Sequence, residues 1–121
     1  YGLSWPERMA CGAASLDFGA MADMTFESFD SSDHHRRFPG LKLSWDALRA
    51  PSGTTAVLNA ANEVAVSSFL ERHIRFDQIH QVNIETLERV SVSPPGCLDD
   101  LLALDAASRR AAQQIAGHLS T

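Results

Sequence analysis

Cysteine is nearly missing from this chain: Cys11 and Cys97 are the only two in 121 residues, and they lie far apart. Two cysteines do not make a disulfide framework, so packing must hold the fold, and the simplest reading is a pair of reduced thiols in a cytosolic protein. Long apolar runs are missing too, and nothing approaches the roughly 18–20 residues that span a bilayer. The opening YGLSWPERM has the marks of neither a signal peptide nor a transit peptide, and it does not begin with Met; the expectation is a piece of something longer. Positive charge is scarce, with 10 Lys and Arg against 15 Asp and Glu, a net charge of −5. Its cations are scattered, and Arg36-Arg37 sits beside acids, which leaves no electrostatic footprint for a nucleic acid. Strand signals are few: Met24-Thr25-Phe26 alternates, but no second strong strand accompanies it. Also lacking are a Gly-rich phosphate loop, a nucleophile elbow, an HExxH and a CxxC.

What is present is helix. With 45% hydrophobic and 21% charged residues, the composition is that of one soluble domain. The organising stretch is Thr54–His73, five turns long, without internal Gly or Pro. At 100° per residue, Val57, Leu58, Ala61, Val64, Ala65 and Phe69 share one face, while Asn59, Glu63, Ser67 and Glu71 share the other. Val66 and Leu70 interrupt the polar side, so this helix is expected to be covered on both faces. Thr54 or Thr55 is the expected N-cap.

Around it the chain reads as an irregular arm over residues 1–38 and a helical bundle over 39–121. In the arm, Leu16, Phe18 and Met21 form a short helical turn or plug into a core. Trp5, Trp45, Phe26, Phe38 and Phe69 are expected in the core or at the arm's docking points. Ser28–Arg37 is expected to be a solvated polar loop. A short helix spans Leu41–Arg49, with Leu41, Trp45 and Leu48 as its buried stripe. A third helix starts at an Asp77 cap, buries Ile79, Val82, Leu87 and Val90, and pairs Glu85 with Arg89. Pro94-Pro95-Gly96 breaks the chain. The last helix, about Leu98–Leu119, opens on Asp99 and Asp100, which suit the positive end of its dipole. Leu101, Leu104, Ala111, Ile115 and Leu119 trace its inner side, Asp105 pairs with Arg109, and its Ala- and Gln-rich C-terminal half is expected to pack closely but bury less. The fold class is mainly α: a small four-helix bundle preceded by an irregular arm with at most a short strand.

Chemistry-bearing groups are sparse. Asn59, Asn62 and Glu63 form the polar cluster on the central helix. Glu63 is a possible base or metal ligand in type, but hydrogen-bonding struts between packed elements are the preferred reading. Asp30, Asp33, His34 and His35 are zinc- or manganese-type donors, and a metal-dependent hydrolase built on them is one rival reading; adjacent histidines in a loop seldom converge on one ion. His73, His80 and His118 lie on three separate helices. A free-standing helical protein-interaction module, docking on the Val66/Leu70 and Asn59/Glu63 face, is the other rival.

The wording of several stretches says more. LSWPERM (3–9), SLDF (15–18), MTFES (24–28), FPGLKL (38–43), VLNAANEVAVSSFLERHIRF (57–76) and CLDDLLALDAASRRAAQQIAGHLS (97–120) closely resemble, in order, the C-terminal region of the 1-deoxy-D-xylulose 5-phosphate reductoisomerases. The resemblance implies a parent enzyme that converts 1-deoxy-D-xylulose 5-phosphate to 2-C-methyl-D-erythritol 4-phosphate for isoprenoid precursor synthesis. It implies NADPH, a divalent Mg²⁺, Mn²⁺ or Co²⁺, a homodimer, and catalytic and NADPH-binding domains elsewhere in the same chain. The family's glycine motif, metal ligands, phosphate-binding residues and flap all lie upstream of Tyr1. On this basis no catalytic, cofactor-binding or metal residue is expected here, no cofactor is expected to bind this piece alone, and neither nucleic acid nor membrane is an expected partner. Asn59, Asn62 and Glu63 are not the family's Asn-Lys-Glu set. The stretch Ser28–Arg37 departs from the family pattern, being long and lacking a Pro-Asp start.

Overall fold

In the computed structural model, every residue is described except Tyr1, Arg8, Cys11, residues 22–27, Phe29 and Thr121. Five α-helices follow a short 3-10 turn at Gly2–Ser4: α1 (Ser32–Arg37), α2 (Pro39–Arg49), α3 (Thr54–Leu70), α4 (Phe76–Arg89) and α5 (Leu98–Leu119). There is no strand among the described residues, and the class is mainly α. The suggested strand at Met24–Phe26 and the thiol of Cys11 lie outside the described residues; Cys97 is free and exposed.

The centre is a seam of small side chains. From α3, Ala61 and Ala65 meet Ala112, Ile115 and Ala116 of α5, with Val82 of α4 and Ile74 completing the cluster. Val64, Phe69, Ile79 and Leu119 pack around it. Alanines let two helix backbones approach closely, and α3 and α5 meet along this seam. On burial the expectation for α5 is reversed: from its middle onward it supplies the buried Ser108, Ala112, Ile115 and Ala116, while Leu98 and Leu102 near its start are exposed. Small residues bury completely, and their low apolar content is what hid the seam.

Two hydroxyls lie in this interior and are satisfied locally. Thr86 Oγ1 donates to the Val82 carbonyl and Ser108 Oγ to that of Leu104, each at 2.7 Å. On α4 the buried line is Gln78, Val82, Asn83 and Thr86, more polar than the apolar stripe expected. Glu85 takes a hydrogen bond from Gln81 at 2.9 Å rather than pairing with Arg89.

Helix ends differ from expectation for local reasons. Ser31 accepts from the His34 amide at 3.1 Å, and Asp33 bridges to Arg36 at 2.7 Å. That cap and pair turn Ser32–Arg37 into α1, where a loop was expected. Pro39 starts α2 from its first position, since its missing N–H has no helical partner to lose. Gly53, at φ 98°, precedes α3 in place of a capping threonine; the Thr54 hydroxyl donates to the Pro51 carbonyl at 2.7 Å. A Cβ on Gly53 would lie within 3.1–3.3 Å of Leu104, Val92 and Pro95, so both φ and space require glycine.

The central helix stops at Leu70, short of His73. Arg72 sits at φ 64°, its amide donating to Phe69 and that of His73 to Ser68, both at 2.9 Å. This is the Schellman arrangement, with arginine where glycine is usual. Arg75, not Asp77, flanks the start of α4: its amide donates to Gln78 Oε1 at 2.7 Å, while Asp77 holds the Arg75 guanidinium.

The largest departure concerns aromatic and apolar side chains. α2 turns Ala47, and partly Leu43, inward; Leu41, Trp45 and Leu48 face out, with Leu48 67% exposed. Two apolar stripes compete on so short a helix, and the smaller one fits the groove beside α3. Trp5, Leu16, Phe18, Met21, Phe38 and Leu70 are exposed as well, so the arm's apolar residues do not plug this core. Phe69 does, meeting Phe76 edge-on at 5.7 Å.

Candidate functional site

The polar residues of α3 are positioned by helical spacing. Asn59 and Glu63 are one turn apart, and the Asn59 amide donates to Glu63 Oε1 at 3.1 Å. From α5, Arg109 donates to Glu63 Oε2 and to Asp105 Oδ2, each at 2.7 Å. One guanidinium thus joins carboxylates from two helices beside the Ala seam. Asn62 points differently: its Oδ1 accepts from the Asn83 amide of α4 at 3.2 Å. The three residues therefore do not share one partner: Glu63 is tied to α5 and Asn62 to α4, while Asn59 and Asn62 both border a hollow of about 530 Å³ between α2, α3 and α4.

Electrostatics follow from these partners. The Arg109 hydrogen bond, then that of Asn59, holds the Glu63 carboxyl below the usual carboxylate range. Asp105, then Glu63, raises Arg109 above the ordinary arginine value. A carboxylate held ionised with both oxygens engaged is a weak proton acceptor. The guanidinium between Glu63 and Asp105 also takes the place a metal cation would need. Among the described residues, no group of three or more His, Cys, Asp or Glu side chains could hold a metal ion. These residues do not fit a divalent metal.

The histidines remain apart. His34 and His35 are half-buried neighbours on α1, and Asp33 beside them is bound to Arg36. His73 Nδ1 stands 3.4 Å from Glu71. His80 lines a hollow of about 450 Å³ between the start of α2 and α4, and burial pushes its pKa down. Its Nδ1, like Oδ1 of Asn83, is buried without a hydrogen-bond partner among the described residues.

Residue pattern does not single out Asn83, although it follows Val82 at the edge of the buried stripe. Helical spacing pairs Arg109 with Asp105 alone. Its second partner, 46 positions away, depends on how α3 and α5 cross, which one helix's spacing does not encode.

Comparison with known proteins agrees with this arrangement of helices. Residues 1–111 match the family model described as the DXP reductoisomerase C-terminal domain. A 1-deoxy-D-xylulose 5-phosphate reductoisomerase of Ralstonia nicotianae is 48% identical over 113 residues, covering 93% of this chain and 28% of that protein. One from Burkholderia mallei is 46% identical over 119 residues, covering 98% and 29%. A solved reductoisomerase from Zymomonas mobilis, in complex with NADPH, superposes with a TM-score of 0.76 at 37% identity, covering 94% of this chain and 29% of that one. This chain thus spans under a third of the length of the relatives it matches. It belongs to the 1-deoxy-D-xylulose 5-phosphate reductoisomerase family, as the C-terminal domain.

Proposed function

We propose that the chain is the supporting domain of a complete enzyme. That enzyme converts 1-deoxy-D-xylulose 5-phosphate to 2-C-methyl-D-erythritol 4-phosphate by rearrangement and NADPH-dependent reduction, with Mg²⁺, Mn²⁺ or Co²⁺. It serves isoprenoid precursor synthesis in the cytoplasm, as a homodimer. The observation that carries this is the family match over residues 1–111, at a coverage of only 28% of the Ralstonia relative. A piece of that size leaves most of each relative's chain outside the match, and we place the cofactor, metal and substrate sites there. Residues 39–121 are the bundle, and 1–38, including α1, are the arm that links it to the rest.

Within the bundle, Asn62 and Glu63 act as struts, with Asn59 holding Glu63 in position. Support of this kind matters to catalysis because reacting groups must be held within a fraction of an ångström by the structure behind them. The purified 121-residue chain is expected to neither bind NADPH nor oxidise it in the presence of substrate and Mn²⁺; turnover by the fragment overturns the reading. For the struts, Asn62→Ala leaves the Asn83 amide without its partner and should cost about 1 kcal/mol in thermal unfolding. Unchanged stability together with lost activity in the full-length enzyme would remove Asn62 from this role.

A further inference from the structure

α2 leaves its larger apolar stripe largely exposed, with Leu41 and Leu48 at the rims of hollows shared with α3 and α4. Phe38, Leu41, Trp45 and Leu48 lie along one face by helical spacing, 49%, 44%, 46% and 67% exposed. Two of these rings carry a cation: Arg37 stands 5.4 Å from the centre of the Phe38 ring, and Arg49 5.6 Å from that of Trp45. Aromatic and arginine side chains are the types enriched at the energetic centres of interfaces. The ridge also has a continuation. Beside Phe38 and Leu41, the hollow of about 450 Å³ reaches across to Phe76, itself 74% exposed. A contiguous apolar surface of this kind on a small domain marks a place where another surface sits.

The length of polypeptide outside the chain identifies the occupant. The match covers 29% of the Zymomonas chain and 28% of the Ralstonia one, so roughly seven-tenths of such a polypeptide precedes this domain. A tethered neighbour is present at an effective concentration in the millimolar range when the linker is short, far above that of a second copy in solution. Along the ridge, Arg37 and Arg49 lie over the Phe38 and Trp45 rings, while Lys42 and Asp46 of the same helix pair with each other at 2.6 Å. We propose that the α2 ridge of Phe38, Leu41, Trp45 and Leu48 is the face by which the bundle docks onto the preceding domains of its own polypeptide. This rests on the reading that the chain works as part of a reductoisomerase-length protein.

The test uses the full-length protein with Leu41→Cys, Leu48→Cys or, as an exposed control on α5, Gln114→Cys. Maleimide modification of each position is followed by peptide mass. The α2 positions should react at least tenfold more slowly than the control, with a rate ratio unchanged on hundredfold dilution. Equal reactivity overturns the proposal. Protection that disappears on dilution also overturns it, because the occupant is then a second copy. As a second variant, Leu48→Glu should lower the Tm of the full-length protein by several degrees, and an unchanged Tm counts against docking. Reductoisomerase activity is measured on the same samples. Fast labelling in an active enzyme removes the docking face and leaves the functional reading standing; protected positions in a folded protein without activity do the reverse.

Discussion

Arg72 holds a left-handed backbone, φ 64°, that a side chain makes costly. Its geometry is otherwise that of a well-formed helix end, with two amides returning to Phe69 and Ser68. Replacing it with glycine removes the Cβ clash and adds back some freedom to the unfolded chain, for a net gain of up to about 1 kcal/mol. Arg72→Gly should raise Tm by a few degrees in a calorimetric scan. His80 makes a second prediction. Burial lowers its pKa from the ordinary 6.5, so the folded state favours the neutral ring. As pH falls through that ordinary value, the unfolded chain takes up the proton first, and stability falls with it. The stabilisation is therefore complete above about pH 6.5 and lost towards acid. Urea midpoints measured between pH 5 and 8 should show this slope, flattened in His80→Leu.

At the level of elements, the α3/α5 seam carries the packing. Ile115 is fully buried there among alanines that cannot collapse far to fill a gap. Ile115→Ala should cost about 2–5 kcal/mol in denaturant unfolding, in the range of other large-to-small core changes. The longer helices were legible in the sequence because breaks delimit them: Pro39 and Pro51-Ser52-Gly53 around α2, Pro94-Pro95-Gly96 before α5. Which face of each helix turns inward was harder to read. Periodicity on α2 favours Leu41, Trp45 and Leu48, yet the bundle takes Ala47, because a close crossing selects for small side chains and not for the most apolar ones. The same preference placed the burial of α5 in its alanine-rich half. α1 was missed since its signal, a serine cap with one Asp–Arg pair, is indistinguishable in sequence from a polar turn. Of the polar cluster, the Asn59–Glu63 pairing follows from one helix's spacing. Its ties to Arg109 and Asn83 are long-range, and residue pattern alone does not contain them.

As a whole molecule, the chain is a bundle with an interior of small side chains and an outside bearing large ones. Leu3, Trp5, Leu16, Phe18, Leu48 and Phe76 are all at least 66% exposed, an arrangement suited to a part and not to a free-standing protein. The isolated chain should therefore self-associate at concentrations where the full-length protein has one defined size. Sedimentation velocity over a hundredfold range of concentration checks this, and a monomeric fragment throughout would contradict it.

The seam has a consequence for biogenesis. α4 follows α3 after five connecting residues, but α5 is made only after α4 and the proline-rich connection have left the ribosome. Until then, the strip of α3 bearing Ala61 and Ala65 has no lid. A half-synthesised bundle would hold α3 and α4 as a hairpin with its best packing surface open, the kind of transient species chaperones recognise. A stall in translation just before α5 should therefore leave the nascent chain more protease-sensitive than one released a few turns later.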